Sequence, residues 1–107
     1  MWYNIIVEVL DIIKSHIKSE NLYITQHADS RMHSRGIDYS DIYNVINSGI
    51  IIESYLDDKP FPSYLICGKS NDKFIHVLLS DDGVNSYLIT TYIPDKELWN
   101  EDFTKRR

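Results

Sequence analysis

At Gly49 the spacing of apolar residues changes, and that change limits the chain to an α+β fold with helices first and strands after. Before Gly49, apolar side chains recur every three or four positions, which is the period of a helix. After it they alternate, or run together with β-branched residues, as strands require. Helices and strands drawn from separate blocks pack as layers and do not build the βαβ crossovers of a parallel sheet. The expected order is three helices, a four-stranded antiparallel meander and a short closing helix. The N-terminal helices then pack on one face of a twisted sheet.

The first helix spans about 2–19. Ile6, Leu10, Ile13 and Ile17 form its stripe, widened by Ile5, Val9 and Ile12. A face that wide either lies deep against the sheet or also covers a partner, such as a second copy of the chain. The third helix, about 39–48, places Ile42, Val45 and Ile46 on one side and stops at Asn47-Ser48-Gly49, a C-terminal glycine signal. The strands are expected at 50–55, 63–68, 73–80 and 87–93. Two prolines and two acids make 57–62 a loop, while Ser70-Asn71-Asp72 and Asp81-Asp82-Gly83 are turns. Asp95 can cap a last helix carrying Leu98, Trp99 and Phe103.

At 107 residues the chain suits one domain, with an N-terminal helix over 1–20 and the main region over 22–100. Its one cysteine, Cys67, excludes an internal disulfide and a multi-cysteine zinc site, and fits a reducing cytoplasm. Cys67 lies within a strand, where a buried, inert thiol is expected. Glu8 and Asp11 interrupt the apolar run of the first helix, so neither a secretory signal nor a membrane span is expected. Net charge is −5, so bulk electrostatics does not favour nucleic acid and any phosphate site must be local. Lys105, Arg106 and Arg107 make a short basic tail, read as a disordered end.

The second helix, about 25–35, holds such a local site. Thr25 can cap its start and Gly36 its end. Ala28 and Met32 can pack inward, and His27, Arg31 and Arg35 stack in one column at i, i+4 and i+8. As a plain surface feature the two arginines would pair with Asp29, Asp38 or Asp41.

Of the four histidines, His16 sits among polar residues and is expected to be exposed. His27 and His33 point in different directions, and no His-Glu-x-x-His pattern occurs, so no metal is expected. No Gly-x-Ser-x-Gly elbow or phosphate-cradling glycine loop occurs either, so no cofactor is expected. What remains is His27, Arg31 and Arg35 on the helix with His76, Thr91 and Tyr92 on strands. RNA cleavage without a metal needs a base for the 2′-hydroxyl, a cation for the phosphorane and an acid for the leaving oxygen. His, Arg and Tyr can supply all three, although an interior histidine that only hydrogen-bonds is the commoner use of a position such as His76.

The run Thr25-x-His27-Ala28-x-x-Arg31-Met32-x-x-Arg35-Gly36-Ile37 resembles the opening motif of the domain-of-unknown-function family DUF4258. Gly49-Ile50-Ile51-Ile52-Glu53, Tyr64-Leu65-Ile66-Cys67-Gly68, His76-Val77 and Ile89-Thr90-Thr91-Tyr92 with Pro94 extend the resemblance. That family is similar to the RelE-like and colicin-type ribonuclease toxins. The resemblance implies their fold and a metal-independent endoribonuclease, the toxin of a toxin–antitoxin pair, with RNA and an antitoxin protein as partners. The family's polar motif positions fall on His27, Arg31, Arg35, His76, Thr91 and Tyr92. On this reading His27 is the base, His76 or Tyr92 the acid, and Arg31 and Arg35 clamp the phosphate beside Thr91. RelE-like toxins are usually basic, and this chain is not. The rival is a non-catalytic protein-binding module of the same fold, acting through its acidic surface and apolar first helix. Geometry separates the two. Catalysis needs the column to face His76 and Tyr92, whereas arginines capped by Asp38 or Asp41 and a His76 buried on the far face favour binding.

Overall fold

The structure is a computed structural model that describes the backbone from Trp2 to Arg107 and the side chains from Val9 onward. In chain order the elements are α1 (Trp2–Lys18), β1 (Leu22–Ile24), α2 (Gln26–Ser34), α3 (Tyr39–Ser48), β2 (Ile50–Tyr55), β3 (Ser63–Ser70), β4 (Lys73–Asp81) and β5 (Ser86–Tyr92). The fold is α+β, as the change of period at Gly49 implies. The sheet order is β1-β5-β4-β3-β2, with β2 to β5 an antiparallel meander.

The sheet has five strands where the sequence suggested four. The extra strand, β1, runs parallel to β5, with Leu22 to Ile24 against Ser86 to Leu88. Three residues are too few for alternation to be legible, and only the pairing with β5 makes them a strand. The expected closing helix is absent. Asp95 does cap one turn: its Oδ1 accepts from the Glu97 N–H at 2.8 Å, and its carbonyl accepts from the Leu98 and Trp99 N–H, both at 3.0 Å. The chain then bends at Phe103, whose φ is 62°, and Arg106 returns to bridge Trp99. A left-handed residue at that point stops a right-handed helix.

Both ends of α2 follow from sequence. Thr25 accepts from the Ala28 N–H at 3.0 Å. Gly36 has φ 67°, and Ile37 N–H reaches back to Met32 carbonyl at 3.0 Å while Gly36 N–H reaches His33. This is a Schellman closure, with the apolar Ile37–Met32 contact that accompanies it buried in the core. At the start of α3, Asp38 and Asp41 form a capping box.

Gly49 ends α3 for a different reason than expected. Its backbone is extended, at φ −92° and ψ −177°, so it supplies no left-handed cap. A Cβ there would lie 2.4 Å from the Val45 carbonyl oxygen, and one on Gly68 would lie 2.6 Å from the same atom. The two glycines let α3 press backbone to backbone on β3.

The core lies between the helices and one face of the sheet. Ile13, Ile17, Ala28, Met32, Ile42, Val45 and Ile46 meet Ile66, Ile75, Val77, Leu79 and Leu88 there. From α1, Ile13 and Ile17 are buried, Val9 and Leu10 pack partly, and Ile12 remains 42% exposed. Ile5 and Ile6 lie outside the described side chains. His16, expected at the surface, is buried instead. Its Nδ1 lies 2.7 Å from Asp81 Oδ2 and 3.2 Å from Ser86 Oγ, tying the end of α1 to the β4–β5 turn. The Ser86 hydroxyl donates to the same Asp81 oxygen at 2.6 Å, so the three residues form a clip in which the serine proton is already committed.

Candidate functional site

The α2 column runs beside β5, past the point where β1 ends. Beyond Leu88 that edge of β5 has no neighbouring strand. Arg35 fills part of the gap: its Nη1 donates to the Thr91 carbonyl at 2.7 Å and to Thr90 Oγ1 at 3.3 Å. His27 and Arg31 are exposed, and neither side chain has a hydrogen-bond or ion-pair partner among the described residues.

The carboxylates that could have neutralised the arginines are engaged elsewhere. Asp29 accepts from the Tyr39 hydroxyl at 2.6 Å and lies 3.7 Å from His33 Nδ1. Asp38 accepts from Ser40 Oγ at 2.6 Å and from Asp41 N–H at 3.0 Å. Asp41 accepts from the Asp38 N–H at 3.0 Å and from Ser70 Oγ at 2.6 Å. Arg31 therefore holds a cation at the surface of an acidic protein with no counter-charge among the described residues.

His76 lies on the other face of the sheet. Its neighbours Ile75 and Val77 point into the helix-side core, so strand alternation turns the imidazole away from α2. It is fully buried beneath the C-terminal segment. The Trp99 ring meets it edge-on at 4.5 Å and the Tyr92 ring at 5.3 Å. The Phe103 carbonyl, 2.7 Å from Nε2, can only accept, so Nε2 carries the proton. Nδ1 is then free to accept from the Tyr92 hydroxyl at 3.2 Å. Every polar site of the neutral ring is used.

The basic end of the chain, read as disordered, is folded onto this face. Arg106 donates from Nε to Glu53 at 2.9 Å and from Nη2 at 3.1 Å, and its guanidinium lies 4.6 Å from the Trp99 ring centre. The Tyr55 hydroxyl donates to the same Glu53 carboxylate. Arg107 donates to the Lys96 carbonyl at 2.7 Å. Hydrogen bonding to Arg106 holds the Glu53 carboxyl below its ordinary range. Burial pushes the Tyr92 phenol up and the Cys67 thiol up to about 11, so Cys67 stays a thiol at neutral pH.

Burial also lowers the pKa of His76, against the opposing pull of the Phe103 carbonyl and Glu53. A histidine held neutral in the fold is protonated first in the unfolded chain. Its contribution to stability is therefore complete above about pH 6.5 and declines as pH falls below that value. Denaturant titrations at pH 7.5 and 5.5 should show a loss of up to about 1.4 kcal/mol per pH unit from this group. His76→Gln should flatten that dependence, and an unchanged slope would remove His76 as its source.

The six predicted residues thus fall into two groups. Arg35 reaches the β5 backbone at Thr91, and His27 and Arg31 stand beside it at the edge. His76 and Tyr92 join under the C-terminal segment on the far face. Thr91 is buried between them, its Oγ1 donating to the His76 carbonyl at 2.8 Å. Glu53 and Arg106, whose pairing joins β2 to the chain end, had no site role from sequence, and neither had Tyr23, Phe61 and Tyr87. Tyr23 and Tyr87 carry a weak signal, since both precede apolar residues at strand starts. Among the described residues, no three of His, Cys, Asp and Glu converge as metal ligands, and no helix is long and apolar enough to cross a membrane.

These features define a small α+β domain with a cationic edge that no counter-charge among the described residues neutralises, and a sealed histidine on its opposite face. The family model described as "Domain of unknown function (DUF4258)" matches residues 24–93, and the chain belongs to that family. The match begins at the last residue of β1 and ends just past β5, so it includes α2 and the meander and leaves out α1 and the C-terminal segment. No curated protein and no solved structure matches the chain.

Proposed function

We propose that this domain is a RelE-like ribonuclease that binds RNA at the β5 edge and cleaves it by metal-independent acid–base chemistry, as the toxin of a toxin–antitoxin pair. The observation that carries the proposal is Arg31, an exposed guanidinium with no counter-ion among the described residues, one helical turn from His27, which likewise has no partner among them. An RNA phosphodiester supplies what both lack. His27 takes the 2′-hydroxyl proton, the 2′-oxygen attacks phosphorus, and the 5′-oxygen leaves. Arg31 balances the charge of the phosphorane. Arg35 is held by Thr91 and fixes where the column stands. His76 and Tyr92 point to the opposite face of the sheet, away from α2, so in this proposal neither is the acid and the proton for the leaving oxygen comes from the His27 imidazolium.

The test is cleavage of single-stranded RNA in EDTA by wild type and His27→Ala. Loss of general-base catalysis should cost at least about a hundredfold in rate. Equal rates would remove His27 from the mechanism. A second reading, a non-catalytic binding module whose partner is an antitoxin or a second copy docked on α1, draws on the buried His76 and on the 42% exposure of Ile12. RNA binding with no cleavage by wild type would favour it.

A further inference from the structure

Three aromatic rings form a stack on the sheet face opposite the helices. Phe61 lies 6.0 Å from Tyr87 with planes 14° apart, and Tyr23 lies 5.8 Å from Tyr87 at 23°. Tyr87 is the middle ring. Its partners come from opposite sides, Tyr23 from β1 and Phe61 from the loop before β3. Its hydroxyl is fixed on Asp82 at 2.8 Å. The stack ends on Tyr23, which is 53% exposed although large and flat.

Tyr23 sits at the corner where the sheet edge meets the cationic column. β1 closes at Ile24, Thr25 caps α2, and His27 follows in its first turn. One side of this corner thus presents the open end of an aromatic stack. The other presents an imidazole and a guanidinium with no partners among the described residues. A planar ring joined to an anion is a nucleotide, and a base can extend a ring stack regardless of its identity. A duplex keeps its bases inside and offers no such ring. A cationic peptide would meet repulsion from Arg31 and His27.

We propose that the β1–α2 corner is a subsite for single-stranded RNA in which one base stacks on Tyr23 while the adjoining phosphate lies against His27 and Arg31. The inference rests on the reading of the β5 edge as an RNA site and adds a base-recognition residue to it. Because the stack contacts only a ring face, the subsite accepts any base and selects for single strands.

The test is fluorescence anisotropy with a labelled, 2′-O-methylated RNA of about ten nucleotides, which is not consumed, against wild type, Tyr23→Ala, Tyr23→Trp and Arg31→Ala. Tyr23→Ala should bind about tenfold more weakly, and Tyr23→Trp should keep its affinity. The indole of Tyr23→Trp should be quenched as RNA is added, and the same RNA in a duplex should bind poorly. If Tyr23→Ala stays within about twofold of wild type while Arg31→Ala weakens binding, the stacking subsite is refuted and the phosphate site stands. If wild type binds no RNA, both fall. Thermal melting of Tyr23→Ala checks that the variant is folded.

Discussion

Gly68→Ala is expected to destabilise the chain by on the order of 3 kcal/mol. The new methyl group would lie 2.6 Å from the Val45 carbonyl oxygen, 3.0 Å from Val45 Cα and 3.1 Å from Gly49 Cα. All three are backbone atoms, so no side chain can rotate away. Either α3 lifts from β3 or the strand shifts, and both open the core around Val45, Ile46 and Ile66. For a domain whose stability is about 5–15 kcal/mol, that is a large share. Urea denaturation measures it, with Gly83→Ala as the control. Gly83 has φ 90° but nothing within 4 Å of an added Cβ, so it should lose only about 1 kcal/mol through backbone strain. Equal losses at the two sites would show that the α3–β3 contact yields more than this geometry allows.

Arg31→Ala and Arg35→Ala should separate function from stability although the residues share one column. Arg31 is exposed and has no hydrogen-bond or ion-pair partner among the described residues, so its loss should leave the unfolding midpoint unchanged. If it stabilises the phosphorane, the cleavage rate should fall about 10²–10³-fold. Arg35 holds the β5 edge through Thr91, and Arg35→Ala should cost about 1–2 kcal/mol of stability as that bond is lost. Binding of RNA offers a second measure: each phosphate contact removed should reduce the salt slope by about 0.7 for a single strand. Cleavage unaffected by Arg31→Ala would remove the guanidinium from the site, whatever the behaviour of Arg35.

The helical half of the molecule was legible because its signals are local. Thr25 and Gly36 act on backbone groups within one turn of themselves, and each is found in the predicted role, while Asp38, read only as a turn residue and a possible partner for the arginines, caps α3. The α2 column was legible for the same reason, since i, i+4 spacing places side chains together whatever surrounds the helix. Gly49 shows where local reasoning fails. The glycine does end α3, but it is needed for the space that Cys67 and Val45 leave it, which sequence spacing cannot reveal. The closing helix failed likewise. Its apolar residues are spaced for a helix, yet His76 and Phe74 draw Trp99 and Phe103 onto the sheet as a folded-back segment.

By itself the sequence determined the fold class, the ends of α2, and the stacking of His27, Arg31 and Arg35 in one column, because periodicity and capping are settled within a few residues. Tertiary structure alone decided that β1 joins the sheet, that Arg35 belongs to β5, and that His76 lies beneath Trp99 on the face away from Arg31. The alternation of β4 says only that His76 and Val77 point in opposite directions. Which direction faces the helices depends on where Val77 finds the larger apolar surface to bury, and that surface comes from α2 and α3, far away in the chain.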